Sequence, residues 1–239
     1  VLGVTYIAGA LGAKPVLTAA RRVFPGLTSR RVLAGLMIVL TLLCALPYIM
    51  KSIVPPVPGE RPPVWPIWVM VTIYSPLTGV LWPLVESYLS GPRSGQALRT
   101  ALGWWNVVWS SALIVAYIGA APLLKEQAAL SVLLLGLVHL AAAGLLVVFR
   151  REPLHESDAP REDHPDAYAK LLITFRWLLP LSYLVSSTLN PFLPSALEAL
   201  RVDTQWQTIV ATAWLLPRCI AFWAYRQFPG WHGRWWMPA

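Results

Sequence analysis

Residues 130–149 read LSVLLLGLVHLAAAGLLVVF, an unbroken apolar run in which His139 is the single ionisable side chain. At about 1.5 Å per residue, a helix of this length crosses the roughly 30 Å of a bilayer's hydrocarbon core. Helices in the core of a soluble protein are usually shorter or carry a polar face. The run therefore predicts a transmembrane helix.

Six further apolar blocks of similar length accompany it. The seven predicted spans are Val1–Ala20, Val32–Met50, Val64–Leu89, Ala101–Leu124, Leu130–Phe149, Leu171–Ala196 and Trp206–Tyr225. Hydrophobic residues form 56% of the chain and charged residues 13%, about half the charged fraction of an ordinary soluble domain. The sequence thus predicts an all-α polytopic membrane protein. Because a new apolar run opens just before Ala239 and the chain starts without methionine, we expect it to be truncated at both ends of a longer protein.

The net charge of +8 comes from cations between the apolar blocks. They concentrate in loops 21–31, 90–100, 150–170 and 226–234, which alternate assignment of the loops places on one membrane face. By the positive-inside rule this face is cytoplasmic, in a bacterial-type inner or plasma membrane. Orientation accounts for the basic excess, so the lipid bilayer is the expected partner and nucleic acid is not.

Most tryptophans fall near predicted span ends, where the amphipathic indole prefers the interface. Trp82, Trp109 and Trp214 do not follow this pattern. We expect these three to be buried between helices.

Two loops, Arg22–Arg30 and Arg226–Arg234, share the pattern R-x-F-P-G-x-x-x-R. At the same offset Lys14 pairs with Arg218, and Leu11 with Leu215. An even number of predicted spans separates the copies, so both have the same membrane orientation, as in transporters built from parallel repeats. Coincidence is the alternative, because F-P-G is a plausible turn, but position and topology favour duplication.

Six spans per half, a long polar connector and a basic loop in each half resemble the major facilitator superfamily. Arg99-x-x-x-Gly103-x-x-Asn106-x-x-Trp109-Ser110 is similar to the start of that family's fifth helix, and Thr188–Pro194 to the outer half of its seventh. The resemblance implies a helical bundle of that type, in which the visible spans are helices two to eight of twelve. Residues 1–149 then form most of the N-terminal half, 150–170 a cytoplasmic linker, and 171–239 the start of the C-terminal half. Loop 21–31 departs from the family, because it keeps the cations but lacks the family's aspartate.

The resemblance implies a secondary active transporter that moves a small solute, with a coupling proton or ion, by alternating access. A membrane-embedded enzyme and a non-transporting scaffold or remnant are the alternatives. The sequence contains no Gly-rich phosphate loop, nucleophile elbow or H-E-x-x-H motif, so we expect no enzyme, cofactor or metal site.

Three cations are predicted inside spans, Lys14, Arg176 and Arg218. Lys14 and Arg218 each precede the first arginine of their loop copy by eight residues, about 12 Å along a helix. Facing the interface between halves, they would form a cationic site for an anionic substrate. Alternatively, both snorkel to the near interface or pair with a carboxylate such as Glu86.

Other polar residues complete the candidate set. His139 is a protonation site, or a neutral histidine bonded to a neighbouring helix. Polar groups within spans either line a solute path or bond between helices, and they are Asn106, Ser110 and Asn190. Arginines of the two loop copies are candidates for conformational coupling, namely Arg22, Arg30, Arg226 and Arg234.

Overall fold

A computed structural model describes residues 2–54, 63–91, 93, 95–124, 127–154, 167–189, 192–228 and 230. Within these ranges the chain forms nine α-helices and a 3-10 turn, and it contains no β-strand. The elements are α1 Leu2–Val23, α2 Ser29–Ile53, α3 Trp65–Ser90, α4 Gly95–Leu124, α5 Ala128–Leu145, the 3-10 turn Leu146–Val148, α6 Ala167–Leu189, α7 Phe192–Ala199, α8 Thr204–Ala211 and α9 Leu215–Gln227. The predicted all-helical class is confirmed for this part of the chain.

Among the described residues, four helices are long and apolar enough to cross a membrane. They are α2, α3, α4 and α5 with its 3-10 extension to Val148, and they match the second to fifth predicted spans. Large apolar side chains point outward from them, as Val115 (70% exposed) and Val138 (62% exposed) illustrate. Such exposure is unfavourable in water but natural against lipid tails. The chain therefore fits a membrane-embedded protein.

The other three predicted spans are helical but do not meet this description. The first forms α1, the described residues of the sixth lie in α6 and α7, and the seventh is divided between α8 and α9. The last division has a local cause, since Pro217 has no N–H to donate to the carbonyl of Ala213, four residues earlier. Residues 212–214 form turns there, and Leu215 N instead donates to Thr212 O at 2.8 Å. Seven spans and a bundle of the major facilitator type stay predictions.

The chain divides into two compact units. Unit 1 comprises Val1–Arg93 and Glu126–Asp158, and unit 2 comprises Ser94–Lys125 and Ala159–Ala239. In unit 1, α1 packs on α3, and α2 packs on both α3 and α5; in unit 2, α4 packs on α8 and α9. The two units are defined by which helices pack together, whereas the predicted halves 1–149 and 171–239 are defined by order along the chain. The division into transporter halves stays a prediction.

Glycines permit the close helix crossings of unit 1. A Cβ on Gly9 would overlap the backbone of Pro76, and a Cβ on Gly79 would overlap the carbonyl of Tyr6. A Cβ on Gly136 of α5 would approach the Cβ of Cys44 on α2 to 2.5 Å. Small residues allow this approach because van der Waals packing, rather than the hydrophobic effect, holds membrane helices together.

Candidate functional site

The basic end of unit 1 is organised around Glu152, which follows α5. Its Oε2 accepts hydrogen bonds from Arg21 Nη2 at 2.8 Å and from Ser29 Oγ at 2.5 Å. Its Oε1 accepts from the backbone N–H of Ser29 at 3.0 Å. Ser29 opens α2, so the carboxylate satisfies a free N–H and complements the helix dipole. Loop 21–31 thus receives a carboxylate from 123 residues away.

Further bonds tie the same segments together. Arg30 donates from Nη1 to Phe149 O at 3.0 Å and from its backbone N–H to Arg151 O at 3.2 Å. Tyr88, near the end of α3, donates from its hydroxyl to Arg151 O at 3.1 Å. Loop 21–31, the end of α3 and the start of segment 150–170 therefore meet at one end of unit 1.

The pKa of Glu152 reflects this environment. Partial burial raises it, but the hydrogen bonds from Ser29 and the charge and hydrogen bond of Arg21 outweigh burial, so the pKa lies below its ordinary value. A lowered folded-state pKa stabilises the fold above the unfolded-state value and loses that contribution as the pH falls. Because Arg21 and Glu152 are 43% and 45% exposed, solvent screening limits the ion pair itself to about 0.2–1 kcal/mol.

His139 lies in the middle of α5 and bonds to a neighbouring helix. Its Nε2 is 2.8 Å from the hydroxyl of Tyr74 on α3. The two rings are stacked, with centroids 5.9 Å apart and planes 28° apart. Both side chains are partly buried. The bond to a neighbouring helix is therefore present, and it leaves the predicted protonation role open.

Arg218, on α9 of unit 2, lies among three aromatic rings. Its Cζ is 4.7 Å from the ring centroid of Trp109 on α4, 5.5 Å from that of Trp214 and 5.3 Å from that of Phe222. We call these three rings the aromatic cage. Within the described ranges, no carboxylate forms a salt bridge with Arg218. The cage stabilises the cation through ring faces without neutralising its charge.

Arg226 also lies on an aromatic ring of α4. Its Cζ is 4.3 Å from the ring centroid of Trp104, and a Cβ on Gly103 would approach the Arg226 Cβ to 3.2 Å. Its Nε is buried without a hydrogen-bond partner in the described part of the chain. Gly103 therefore makes room for an arginine that is stacked rather than ion-paired.

Polar groups of α4 lie between Trp104 and Trp109 or directly after Trp109. Asn106 donates from Nδ2 to Leu102 O at 2.8 Å, so it bonds its own helix. Ser110 is fully buried, and its hydroxyl has no partner among the described residues. The hydroxyl of Ser111 is 3.4 Å from Cys219 Sγ on α9. Of the predicted path residues that the structure describes, Ser110 is thus the one whose polar atom is buried and unsatisfied.

The remaining candidates are not brought into such contacts. Lys14 and Glu86 are exposed side chains of unit 1, and Arg22 is exposed as well. Lys14 and Arg218 belong to different units, so their pairing stays a prediction. Asn190 and Arg234 lie outside the described residues.

Sequence reasoning missed several partners. No sequence motif points to Glu152 or Tyr74, because only contact with a residue distant in the chain identifies each of them. Trp109 and Trp214 did carry a signal, since they departed from the interfacial pattern. Trp109 is partly buried beside Arg218, whereas Trp214 is 47% exposed, so its predicted burial is wrong.

Within the part of the chain that the structure describes, no group of three or more His, Cys, Asp or Glu side chains is placed to hold a metal ion. No family model matches the chain, and neither curated proteins nor solved structures show significant similarity to it. Function must therefore be argued from the membrane helices and from these side-chain arrangements alone.

Proposed function

We propose that the chain belongs to a secondary active transporter that moves a small anionic solute by alternating access, in the manner of the major facilitator superfamily. The observation that carries the proposal is Arg218, a guanidinium held in the aromatic cage without a carboxylate partner among the described residues. An ionisable group within an apolar helix is costly and marks a functional site by default.

The chemistry of Arg218 suits an anion. Cation–π contacts hold the guanidinium but do not use its N–H groups as hydrogen-bond donors. A carboxylate or phosphate therefore finds donors that no described protein acceptor occupies, in the planar fork geometry that bidentate recognition needs. The buried, unsatisfied hydroxyl of Ser110 on the adjacent α4 is a further donor for a bound solute.

The predicted topology supports the same function. The cations of the predicted cytoplasmic loops orient the chain, and the convergence of loop 21–31 with segment 150–170 in unit 1 suits a structure whose cytoplasmic contacts form and break during alternating access. A membrane-embedded enzyme would need carboxylates or histidines clustered at one membrane face. A scaffold would need no partly buried cation that lacks a carboxylate partner among the described residues.

The test is solute uptake by the intact protein in liposomes, with radiolabelled lactate, succinate, phosphate and, as a neutral reference, glucose. We expect uptake of at least one anion. Because charge-assisted hydrogen bonds contribute about 1.5–3 kcal/mol each, Arg218→Ala should lower that uptake about tenfold to a hundredfold. Arg218→Lys should restore part of it, since it keeps the charge but loses the planar fork.

The control is Lys51→Ala, which removes an exposed cation from the last turn of α2 and should leave uptake unchanged. Absence of uptake for every anion, with protein correctly inserted, would reject the transport proposal and favour a scaffold or an enzyme. Anion uptake that Arg218→Ala leaves unchanged would keep transport but reject this site.

A further inference from the structure

We infer that Tyr74 and His139 form a proton-binding pair within the membrane helices of unit 1, and that the proton it binds is the coupling ion of the transporter. The transport part of this inference rests on the proposed function, whereas proton binding is testable without it. The observation that carries it is the 2.8 Å bond between the Tyr74 hydroxyl and His139 Nε2, which joins α3 to α5.

The pair lies well inside both helices. His139 is eleven residues from the start of the spanning segment Ala128–Val148 and nine from its end. Tyr74 is nine residues from the start of α3 and sixteen from its end. At about 1.5 Å per residue, both are more than 10 Å from either end of their helices. A titratable group at this depth is costly unless it has a polar partner, and each of these residues supplies one to the other.

The chemistry of the bond allows a proton to enter without breaking it. A hydroxyl both donates and accepts, so in the neutral imidazole it donates to Nε2 of the Nδ1–H tautomer and accepts from Nε2 of the Nε2–H tautomer. In the Nε2–H tautomer the lone pair is on Nδ1, which takes up a proton from water, and the imidazolium keeps the hydrogen bond from Nε2–H to the tyrosine oxygen. The link between α3 and α5 thus persists in both protonation states. A donor-only partner would bond Nε2 in the neutral imidazole alone.

Nδ1, the second ring nitrogen of His139, is the atom that takes up the proton. Among the described residues, no hydrogen-bond partner of His139 Nδ1 is present, while the ring itself is only partly buried. A purely structural bond would be served by a residue that cannot titrate. An imidazole with one nitrogen bonded and the other open is suited to exchange a proton with water.

Few other titratable groups lie near Tyr74 and His139. On α2, which packs on both α3 and α5, Cys44 is the titratable residue beside the pair, against Gly136. Charged groups on the packed helices are farther along their axes: Lys51 is seven residues beyond Cys44, and Glu86 is twelve beyond Tyr74, about 10 Å and 18 Å. On α1, the exposed Lys14 is five residues beyond Gly9, which contacts Pro76 of α3. His139 is therefore the basic side chain at this level of α5.

Proton binding is measured directly by nitrogen NMR of histidine-labelled protein in lipid nanodiscs. The His139 signal is identified by its loss in His139→Gln. We expect it to titrate over the pH range in which the protein stays folded, and we expect Tyr74→Phe to move its midpoint and its tautomer equilibrium, since the hydroxyl bonds Nε2. Tyr117→Phe, a partly exposed tyrosine of α4, is the matched control and should change neither. A His139 signal that does not titrate, or one that Tyr74→Phe leaves unaltered, would overturn the inference.

Coupling is measured with the anion that the wild-type protein exchanges in liposomes, from labelled lactate, succinate or phosphate. Exchange without a pH gradient needs no net proton movement. With one proton per solute, a gradient of one pH unit drives about tenfold accumulation. We expect His139→Gln to retain exchange but to lose this accumulation, and the linker control His155→Gln to retain both.

The two measurements separate the possible failures. If the wild-type protein exchanges no anion, the proposed function fails, and the NMR titration still decides whether the pair binds a proton. If exchange occurs and His139→Gln accumulates solute as the wild type does, transport stands and the assignment of the proton as coupling ion at this pair is wrong.

Discussion

The two copies of the R-x-F-P-G-x-x-x-R loop follow helices that pack in different ways. Leu11 of α1 is 77% exposed, whereas Leu215, at the same repeat position of α9, is fully buried. Lys14 is exposed, whereas its counterpart Arg218 lies in the aromatic cage. The same local pattern therefore presents different faces to its neighbours, and equivalent positions do not have equivalent chemistry.

The loops themselves differ in the same way. In the first copy, Arg30 bonds to backbone carbonyls after α5, and the adjacent Arg21 pairs with Glu152. In the second copy, Arg226 stacks on Trp104 and its Nε has no partner among the described residues. Hydrogen bonds and an ion pair hold the first loop, whereas Arg226, the first residue of the second copy, stacks on the ring of Trp104. The shared pattern sets where cations occur, while the neighbouring helices decide what each cation does.

The largest expected effect comes from breaking the contact that fixes α1. Gly79→Leu places a side chain against the backbone of α1 at Tyr6, and overpacking against backbone should cost about 3 kcal/mol or more. Gly35→Leu is the control, because nothing lies within 4 Å of a Cβ there. The measurement is the free energy of unfolding in bicelles. Equal effects of the two substitutions would show that the Gly9–Gly79 crossing does not fix α1.

An intermediate effect is expected from truncating the equivalent leucines. Leu215→Ala removes a fully buried side chain and should cost about 2 kcal/mol, mainly through lost van der Waals contacts. Leu11→Ala removes an exposed side chain and should change stability by less than about 0.5 kcal/mol. The same unfolding measurement compares them. Similar losses for both leucines would contradict the different packing of α1 and α9.

The smallest expected effect concerns the carboxylate of the first loop. Glu152→Gln removes the charge that bonds Ser29 and Arg21, and it should cost about 1 kcal/mol at pH 7. Because the folded-state pKa of Glu152 is lowered from 4.5, the wild-type protein should lose this contribution as the pH falls below about 4.5, so the two proteins should converge in acid.

The control for this variant is Glu86→Gln, which changes an exposed carboxylate of α3 and should have no comparable effect. The measurement is the free energy of unfolding of wild type and both variants at several pH values between 3 and 7. A difference between wild type and Glu152→Gln that stays constant over this range would show that the carboxylate's charge does not stabilise the loop.

The sequence by itself determined the membrane class and the approximate positions of four spanning helices, because about twenty consecutive apolar residues suffice to cross a hydrocarbon core. It also located Arg218 and His139 as ionisable residues within apolar segments, since charge in such a setting is visible without knowing the fold. The interruption of the seventh predicted span was not predicted from the sequence. Pro217, three to five residues after the turn at 212–214, is the residue that could have indicated it, because proline removes a helix hydrogen bond.

Only the tertiary structure decided which groups meet. Glu152 reaches Ser29, Tyr74 reaches His139, and Trp109 reaches Arg218 across long stretches of chain. The physical reason lies in the surroundings of a membrane helix. Lipid and protein interior are both apolar, so the hydrophobic pattern does not mark the buried face of a helix as it does in water. The rotation of each helix, and hence the partners of its polar residues, is set by close packing against its neighbours.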